Sequence, residues 1–372
     1  MNTNAFDDTT RKAAMELAQA LVDQERARVI VPAERPEPGF WFGGGNLSVG
    51  PDGALYLVGR YRNYGDSRTG LGRGERGKEL AVFRSDDRGA TFRKVLSLSK
   101  SDLSLPGREV LSIEGSHLEF HENGVSLYVS TEKDGIGYPD EVRDFHKSGT
   151  GVWTIDVLHA PSVDALGEAA VEPLLASRTP EYLHVKDPFV FTANGTRQIG
   201  FCTHPFCWSA SHTGFHVDGR TTYDVFPRGP AWDVAIARMT CYAPLPRIGR
   251  FAAGEQLYLC FYDGGECVRQ LDEHPAAVAR PRGYSCEEIG GLALARDSAL
   301  LTSERLSTLG PAFVSPHGTG CSRYVDVLFT EEYAYATWQQ SQDDLSQPLV
   351  MNVVEMSTVA EMLGLRPSKF LG

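Results

Sequence analysis

Two short segments combine a carboxylate with the start of an apolar strand. Glu114 precedes Gly115 ahead of one such run, and Asp187 precedes Pro188 ahead of another, where the proline favours extended geometry for Asp187. Asp233 stands at the head of a further run. If these carboxylates face one cavity, they supply what glycosidic cleavage needs: a protonated acid for the leaving oxygen and a carboxylate for the water or the anomeric carbon. The sequence therefore predicts Glu114, Asp187 and Asp233 as catalytic residues.

Side chains that could hold a sugar lie near the same strand starts. Arginine forks can clamp a carboxylate or a hydroxyl, and aromatic rings beside polar groups suit the faces of sugar rings. Each tryptophan, Trp41 included, has packing between sheets as its alternative, because large aromatic residues are usually buried. The predicted substrate-binding residues are Asn46, Arg60, Arg62, His117, Lys186, His204, Trp208, His212, Trp232 and Arg323.

The elements that must position these residues are mostly strands. An apolar stripe over residues 8–28 predicts an amphipathic helix that is buried through Leu17 and Leu21. A short helix is predicted from Ser357 to Gly364. Between them, apolar runs alternate with turns and divide into five similar stretches, which start near Gly44, Ile113, Val185, Trp232 and Gly320. The predicted fold is all-β: a five-bladed β-propeller over residues 31–372 that forms one catalytic domain, with an N-terminal helical extension over residues 1–30.

One turn carries a recognisable structural motif. Residues 85–92, SDDRGATF, fit the S-x-D-x-G-x-T-F pattern of the Asp box found in sialidase-type propellers. In this pattern the aspartate accepts backbone N–H groups within a tight turn, and the glycine supplies a positive φ. The motif supports a propeller, and its predicted place on an outer hairpin gives it no catalytic role.

The sequence gives no sign of a metal site or of a disulfide framework. The ten histidines are scattered without the spacing of a ligand set, so no cofactor is predicted, and a structural divalent cation in the axial channel is the alternative left open. Seven cysteines form an odd count with no C-x-x-C pair and are predicted to be buried thiols. The acidic residues predicted to be solvated charges beside turns are Asp263, Glu266, Glu287 and Glu288.

The two carboxylate segments resemble those of the five-bladed glycoside hydrolases, the arabinanases, β-xylosidases, fructosidases and anhydrogalactosidases. Lys186-Asp187-Pro188 is similar to the strand entrance whose aspartate tunes the acid, and Glu114-Gly115-Ser116 to the entrance that carries the general acid. The order of the two segments is reversed here, and Asn46 stands where those families place the catalytic-base aspartate. The resemblance implies an exo-acting, inverting hydrolase of small oligosaccharides or glycosides.

The charge and composition of the chain exclude some classes of binding partner. The net charge of −12 repels phosphate backbones and anionic lipid, so nucleic acid and membrane are not expected. No leader pattern or long apolar run occurs, so a cytoplasmic location is expected. A homo-oligomer is left open.

The alternatives to a glycoside hydrolase of neutral sugars are a sialidase-like hydrolase, a polysaccharide lyase that uses Arg60, Tyr61 and His117, and a non-catalytic carbohydrate-binding propeller.

Overall fold

The computed structural model describes residues 6–63, 76–268 and 280–365. Five antiparallel sheets form most of it, and the strands that begin successive sheets contact one another in a closed ring. The prediction of a five-bladed β-propeller is therefore confirmed. Each sheet is one blade, with its innermost strand on the ring.

The blades follow one another along the chain. Blade 1 contains β2 (Trp41–Gly43), β3 (Leu47–Val49), β4 (Leu55–Arg62), β5 (Glu79–Ser85) and β6 (Arg93–Ser99). Blade 2 contains β7 (Val110–His121), β8 (Gly124–Lys133), β9 (Val152–Ala160) and β10 (Glu172–Leu175). Blade 3 contains β11 (His184–Ala193), β12 (Thr196–His204), β13 (His212–Val217) and β14 (Arg220–Thr222).

The last two blades complete the ring. Blade 4 contains β15 (Ile236–Pro244), β16 (Leu257–Gly265), β17 (Ile289–Arg296) and β18 (Glu304–Arg305). Blade 5 contains β19 (Ser322–Phe329), β20 (Tyr333–Gln340) and β21 (Leu349–Glu355), and its outermost strand is β1 (Arg28–Val31). Because β1 pairs with β21, the N-terminal segment closes the propeller against its last blade. Short 3₁₀ helices lie at Asp140–Phe145, Asp164–Glu168, Pro180–Tyr182, Gly249–Phe251 and Asp297–Thr302.

Two helices cover one side of the ring near its closure. Helix α1 (Asp8–Leu21) is capped by Asp7, whose side chain accepts from the Thr10 backbone N–H at 2.7 Å. Leu17 and Leu21 are fully buried against blades 4 and 5 and helix α2 (Met356–Met362), so the predicted docking is confirmed. The helix ends at Leu21 and not near residue 28, because the residues from Arg28 onward are in β1.

A break in the innermost strands recurs around the ring. The pairing register shifts between Ile113 and Ser116 in β7, between Lys186 and Phe189 in β11, between Met239 and Cys241 in β15 and between Arg323 and Asp326 in β19. In blade 1 the first strand is divided into β2 and β3. Such bulges re-aim side chains. Here they divide the axial channel into an upper mouth, where the innermost strands begin, and a lower mouth, where they end.

The predicted Asp-box turn joins β5 to β6. Asp87 accepts from the Thr91 N–H at 2.8 Å, and Ser85 accepts from the Gly89 N–H, also at 2.8 Å. Gly89 has a φ of 85°, which a glycine adopts without strain. These hydrogen bonds explain the residue types, and the assignment to the sialidase-type motif stays a prediction.

No helix within the described ranges is long and apolar enough to cross a membrane. All seven cysteines are free thiols. The prediction that they are buried holds for four of them and is wrong for the other three, since Cys207 is exposed and Cys267 and Cys286 are only partly buried.

Candidate active site

Glu114 lies at the upper mouth, on β7, and is held by two arginines of β4. Arg60 donates to Oε2 through Nε at 3.1 Å and through Nη2 at 2.7 Å, and Arg62 donates to Oε1 at 3.0 Å. Burial opposes ionisation, but Arg60, Lys186 and Arg62 together hold the pKa of Glu114 well below its ordinary value. Glu114 is therefore an ionised carboxylate in the resting protein.

Asp187 lies beside Glu114, as the sequence predicts. Its Oδ1 accepts from the Gly115 N–H at 3.0 Å, and its Oδ2 accepts from Arg238 at 2.8 Å. A Cβ on residue 115 would come within 2.6 Å of the Asp187 carboxylate, so glycine is required there. The expected extended geometry of Asp187 is wrong, because its φ is 54° at the bulge of β11. This strained conformation turns the carboxylate toward blade 2.

A network of buried ion pairs continues around the axis from Asp187. Arg238 also donates to Asp263 at 3.0 Å and lies 3.1 Å from Glu288, and Arg323 donates to Glu288 at 2.8 Å. Asp263 further accepts from the Tyr324 N–H at 2.9 Å. The prediction that Asp263 and Glu288 are solvated charges is wrong, because both are at most 2% exposed and each is paired.

Tyr324 stands at the centre of this network, in blade 5. The guanidinium carbons of Arg60, Arg238 and Arg323 lie 5.3, 4.8 and 5.1 Å from its ring centroid. Its φ of 53° is a second positive value at a bulge. Burial raises the pKa of the Tyr324 phenol, so the resting group is neutral.

A cavity of about 240 Å³ opens above this network. Glu114 and Glu132 contribute carboxylates to its wall, and Arg62 and Lys186 contribute cations. Glu132 accepts from the Gly151 N–H at 2.9 Å and was not predicted from the sequence. The aromatic residues that line the cavity are Tyr138, Phe145, Trp153, Phe206 and Trp208.

Trp208 is fixed in the cavity wall by two histidines. Its ring centroid lies 4.3 Å from that of His184 and 4.5 Å from that of His204. The His204 Nδ1 is 2.8 Å from the carbonyl of Ala210, which orients the ring. Burial lowers the pKa of both histidines, so they are neutral supports for the indole. His204 thus lies behind the cavity and positions Trp208.

Several predicted site residues lie elsewhere. Asn46 spans the gap between blades 1 and 2, where its amide exchanges hydrogen bonds with the backbone of Leu118 at 2.8 and 3.1 Å. His117 follows the bulge of β7 and faces the lower mouth, and burial lowers its pKa to about 3. His212 lies in β13 with its Nδ1 3.2 Å from Asp224.

Asp233 and Trp232 also lie outside the cluster of Glu114 and Asp187. Asp233 is fully buried and accepts from Arg305 of the outermost strand β18 at 2.8 Å. Trp232 stacks on Tyr262 and donates to the carbonyl of Ser307 at 2.8 Å. Blade 4 begins its first strand at Ile236, so both residues belong to the preceding loop that packs against the blade. Their contacts are those of packing residues.

Two carboxyls near the upper mouth have raised pKa values. Burial raises the pKa of Asp263 to about 7 against the opposing effect of Arg238. Burial likewise raises the pKa of Glu287 to about 7, although a hydrogen bond from Thr319 opposes it. Glu287 directly follows Cys286, which lines the cavity and lies 3.4 Å from Arg62.

Within the described ranges, no group of three His, Cys, Asp or Glu is arranged to hold a metal.

Comparisons with known proteins give the same fold. No protein-family model and no curated protein sequence matches the chain. Among solved structures, it is similar to a glycoside hydrolase (TM-score 0.61, 10% identity, covering 94% of this chain and 96% of the other). It is also similar to a thermostable family-43 glycoside hydrolase (TM-score 0.53, 14% identity, 87% and 92% covered) and to the GH43_1 enzyme from Xanthomonas citri complexed with xylotriose (TM-score 0.51, 12% identity, 92% of each chain). The predicted resemblance to five-bladed glycoside hydrolases is thus confirmed for the fold.

Proposed function

We propose that the protein is a glycoside hydrolase that acts on a small oligosaccharide or glycoside at the upper mouth. The observation that carries the proposal is the cavity itself, where two carboxylates, Glu114 and Glu132, share a wall with three aromatic rings that suit a sugar, Tyr138, Trp153 and Trp208. The fold shared with solved glycoside hydrolases supports the reaction class, and one of these structures contains xylotriose.

Glu114 is proposed as the carboxylate that activates water. A general acid must carry a proton at the working pH, whereas two arginines keep Glu114 ionised. The acid role that the family resemblance implies for Glu114 therefore fits poorly, and the base role is proposed because it needs the ionised form. Asp187 is proposed as a positioning residue, since it binds the Gly115 N–H next to Glu114.

Glu287 is proposed as the proton donor. Its pKa of about 7 leaves much of it protonated at neutral pH. The pKa values of Glu114 and Glu287 are shifted in opposite directions, as base and acid roles require, and Ser285 and Cys286, which directly precede Glu287, line the cavity. Arg62 links the two regions, because it donates to Glu114 at 3.0 Å and lies 3.4 Å from the sulfur of Cys286.

The size of the cavity supports exo action. About 240 Å³ is below the usual range of ligand pockets, about 300–1,000 Å³, and suits one terminal sugar unit better than an internal stretch of a polymer. Inversion is proposed with water between the sugar and Glu114, as the family resemblance implies.

The test is hydrolysis of a panel of aryl glycosides and of short xylo-oligosaccharides, with the product anomer followed by NMR before mutarotation. We expect release of one terminal sugar at a time with inverted configuration. A product of retained configuration would reject the inverting mechanism. Binding of sugars without hydrolysis of any glycoside would instead favour the non-catalytic carbohydrate-binding alternative.

A further inference from the structure

Positive charge exceeds negative charge around the upper mouth. The residues that line the cavity include four cations, Arg62, Arg76, Lys147 and Lys186, against two carboxylates, Glu114 and Glu132. This excess stands out in a chain whose net charge is −12. A buried cation is costly unless it is paired, so an excess of cations in the wall favours an anionic ligand.

The carboxylates in the cavity wall are already engaged by protein groups. Glu114 is bound by Arg60 and Arg62. Glu132 accepts from the Gly151 N–H at 2.9 Å and lies 2.9 Å from a guanidinium nitrogen of Arg76. Glu114 attracts the Lys186 ammonium at longer range, but among the described residues neither carboxylate forms a direct ion pair with it.

Lys186 has an incomplete set of partners. The residue is 8% exposed and lines the cavity, and its ammonium lies 5.1 Å from the ring centroid of Trp153. Its carboxylate neighbour, Asp187, is 3.6 Å away, beyond hydrogen-bond distance, and already accepts from Arg238 and the Gly115 N–H. The described part of the chain gives the Lys186 ammonium no hydrogen bond, although it has three protons to donate.

A second cation stands at the rim of the same cavity. Lys147 lines it with an exposed side chain and is the residue that an incoming anion would meet first. Cations at the rim and at depth raise the local concentration of an anionic ligand, since a cleft with an excess of one sign of charge attracts the opposite sign.

We propose that Lys186 binds a negatively charged group on the substrate sugar, the carboxylate of a uronic acid or a sulfate ester. The inference rests on the proposed function, because it takes the ligand of the cavity to be a sugar. It adds a substrate class, acidic sugars, and a residue that selects it. The sugar ring lies against the indoles, and its anionic group reaches the ammonium.

The experiment compares matched sugars that differ in one group. Isothermal titration calorimetry measures glucose against glucuronic acid and against glucose 6-sulfate, and galactose against galacturonic acid. We expect an acidic sugar to bind the wild-type protein at least tenfold more tightly than its neutral partner, about 1.4 kcal/mol. Preference for the uronic acids identifies a carboxylate, and preference for the sulfate ester identifies a sulfate. Equal affinity across every pair would overturn the proposal.

Variants assign the preference to Lys186. In Lys186→Met the preference should fall below about threefold, and Lys186→Arg should keep most of it. The matched control is Lys12→Met on helix α1, whose exposed side chain lies outside the cavity and which should behave as wild type. An undiminished preference in a folded Lys186→Met protein would contradict the assignment. If Lys186→Met does not fold, the wild-type pairs still decide the substrate class.

The two proposals can fail separately. Hydrolysis of neutral glycosides with no preference for acidic ones would overturn the charge inference and leave the proposed function standing. Tight binding of an acidic sugar with no hydrolysis of any glycoside would overturn the proposed function and leave the anion site standing.

Discussion

The two mouths of the axial channel are lined by the same five innermost strands and differ in almost every chemical respect. The upper mouth holds the paired carboxylates, the arginines and the aromatic cavity. The lower mouth has a cavity of about 370 Å³ whose wall is largely apolar, with Phe189, Val327 and Leu328 among its residues. Glu114 and His117 are three residues apart on β7, yet they face opposite mouths. The bulge between them decides which residue can meet a sugar in the upper cavity.

The largest expected effect comes from removing the charge at Glu114. Glu114→Gln should lower kcat by on the order of 10²–10⁴, the usual share of acid–base catalysis. A base acts on water and not on the leaving group, so the loss should be similar for aryl glycosides with good and poor leaving groups. His117→Gln at the lower mouth is the control and should leave kcat within about twofold. If activated substrates escape the loss in Glu114→Gln, Glu114 is the acid and not the base.

A smaller effect, confined to part of the pH range, is expected at Glu287. Its raised pKa of about 7 means that the proton donor is present below pH 7 and is lost as the pH rises through that value. Wild-type kcat should therefore fall on the alkaline side of about pH 7, and Glu287→Gln should be slow on poor leaving groups with this limb absent. The measurement is a pH profile of kcat for both proteins. An unchanged alkaline limb in the variant would remove Glu287 from the mechanism.

A substitution at Asp233 should lower the stability of the protein and leave its catalysis almost unchanged. Asp233→Asn breaks a buried pair with Arg305 and should lower the free energy of unfolding by about 3 kcal/mol. The folded fraction should keep kcat within about threefold, because the residue packs in blade 4 away from the cavity. Urea unfolding and activity at low temperature measure the two quantities. A loss of kcat comparable with that of Glu114→Gln would restore Asp233 as a catalytic residue.

Gly115 tests the contact between blades 2 and 3 at the upper mouth. Gly115→Ala places a Cβ about 2.6 Å from the Asp187 carboxylate and should cost about 1–3 kcal/mol of stability. Gly310→Ala is the matched control, since nothing lies within 4 Å of its added Cβ, and should change stability by less than about 0.5 kcal/mol. Thermal unfolding compares the two variants. Equal stability would mean that Asp187 does not fix Gly115.

The sequence predicts the five blades, the docked helix and the meeting of Glu114 with Asp187, because strand alternation and the residues at strand heads are local signals. It does not predict the burial of Asp263 and Glu288, because each stands shortly before a Gly-Gly pair, where a charged residue is usually solvated. Their burial depends on Arg238, which is distant in sequence. A charged residue inside an apolar strand, as Arg238 is in β15, was the available signal, because such a residue is buried only when it is paired.

The positions of the bulges could not be predicted either. A bulge depends on the pairing between two strands, and the sequence of one strand does not reveal it. His117 was therefore assigned to the wrong mouth. Asp233 was misplaced for a related reason, since the loop before Ile236 continues the apolar pattern of the strand and hides where blade 4 begins.

The central claim is that the upper mouth binds the sugar beside Glu114. A crystal structure of Glu114→Gln soaked with a trisaccharide or a uronide tests it most directly, because the variant should bind substrate without turning it over. We expect the terminal sugar in the cavity against Trp153 and Trp208, with its anomeric carbon facing residue 114. Density for the sugar in the lower mouth, or on an outer blade with the upper cavity empty, would contradict the claim.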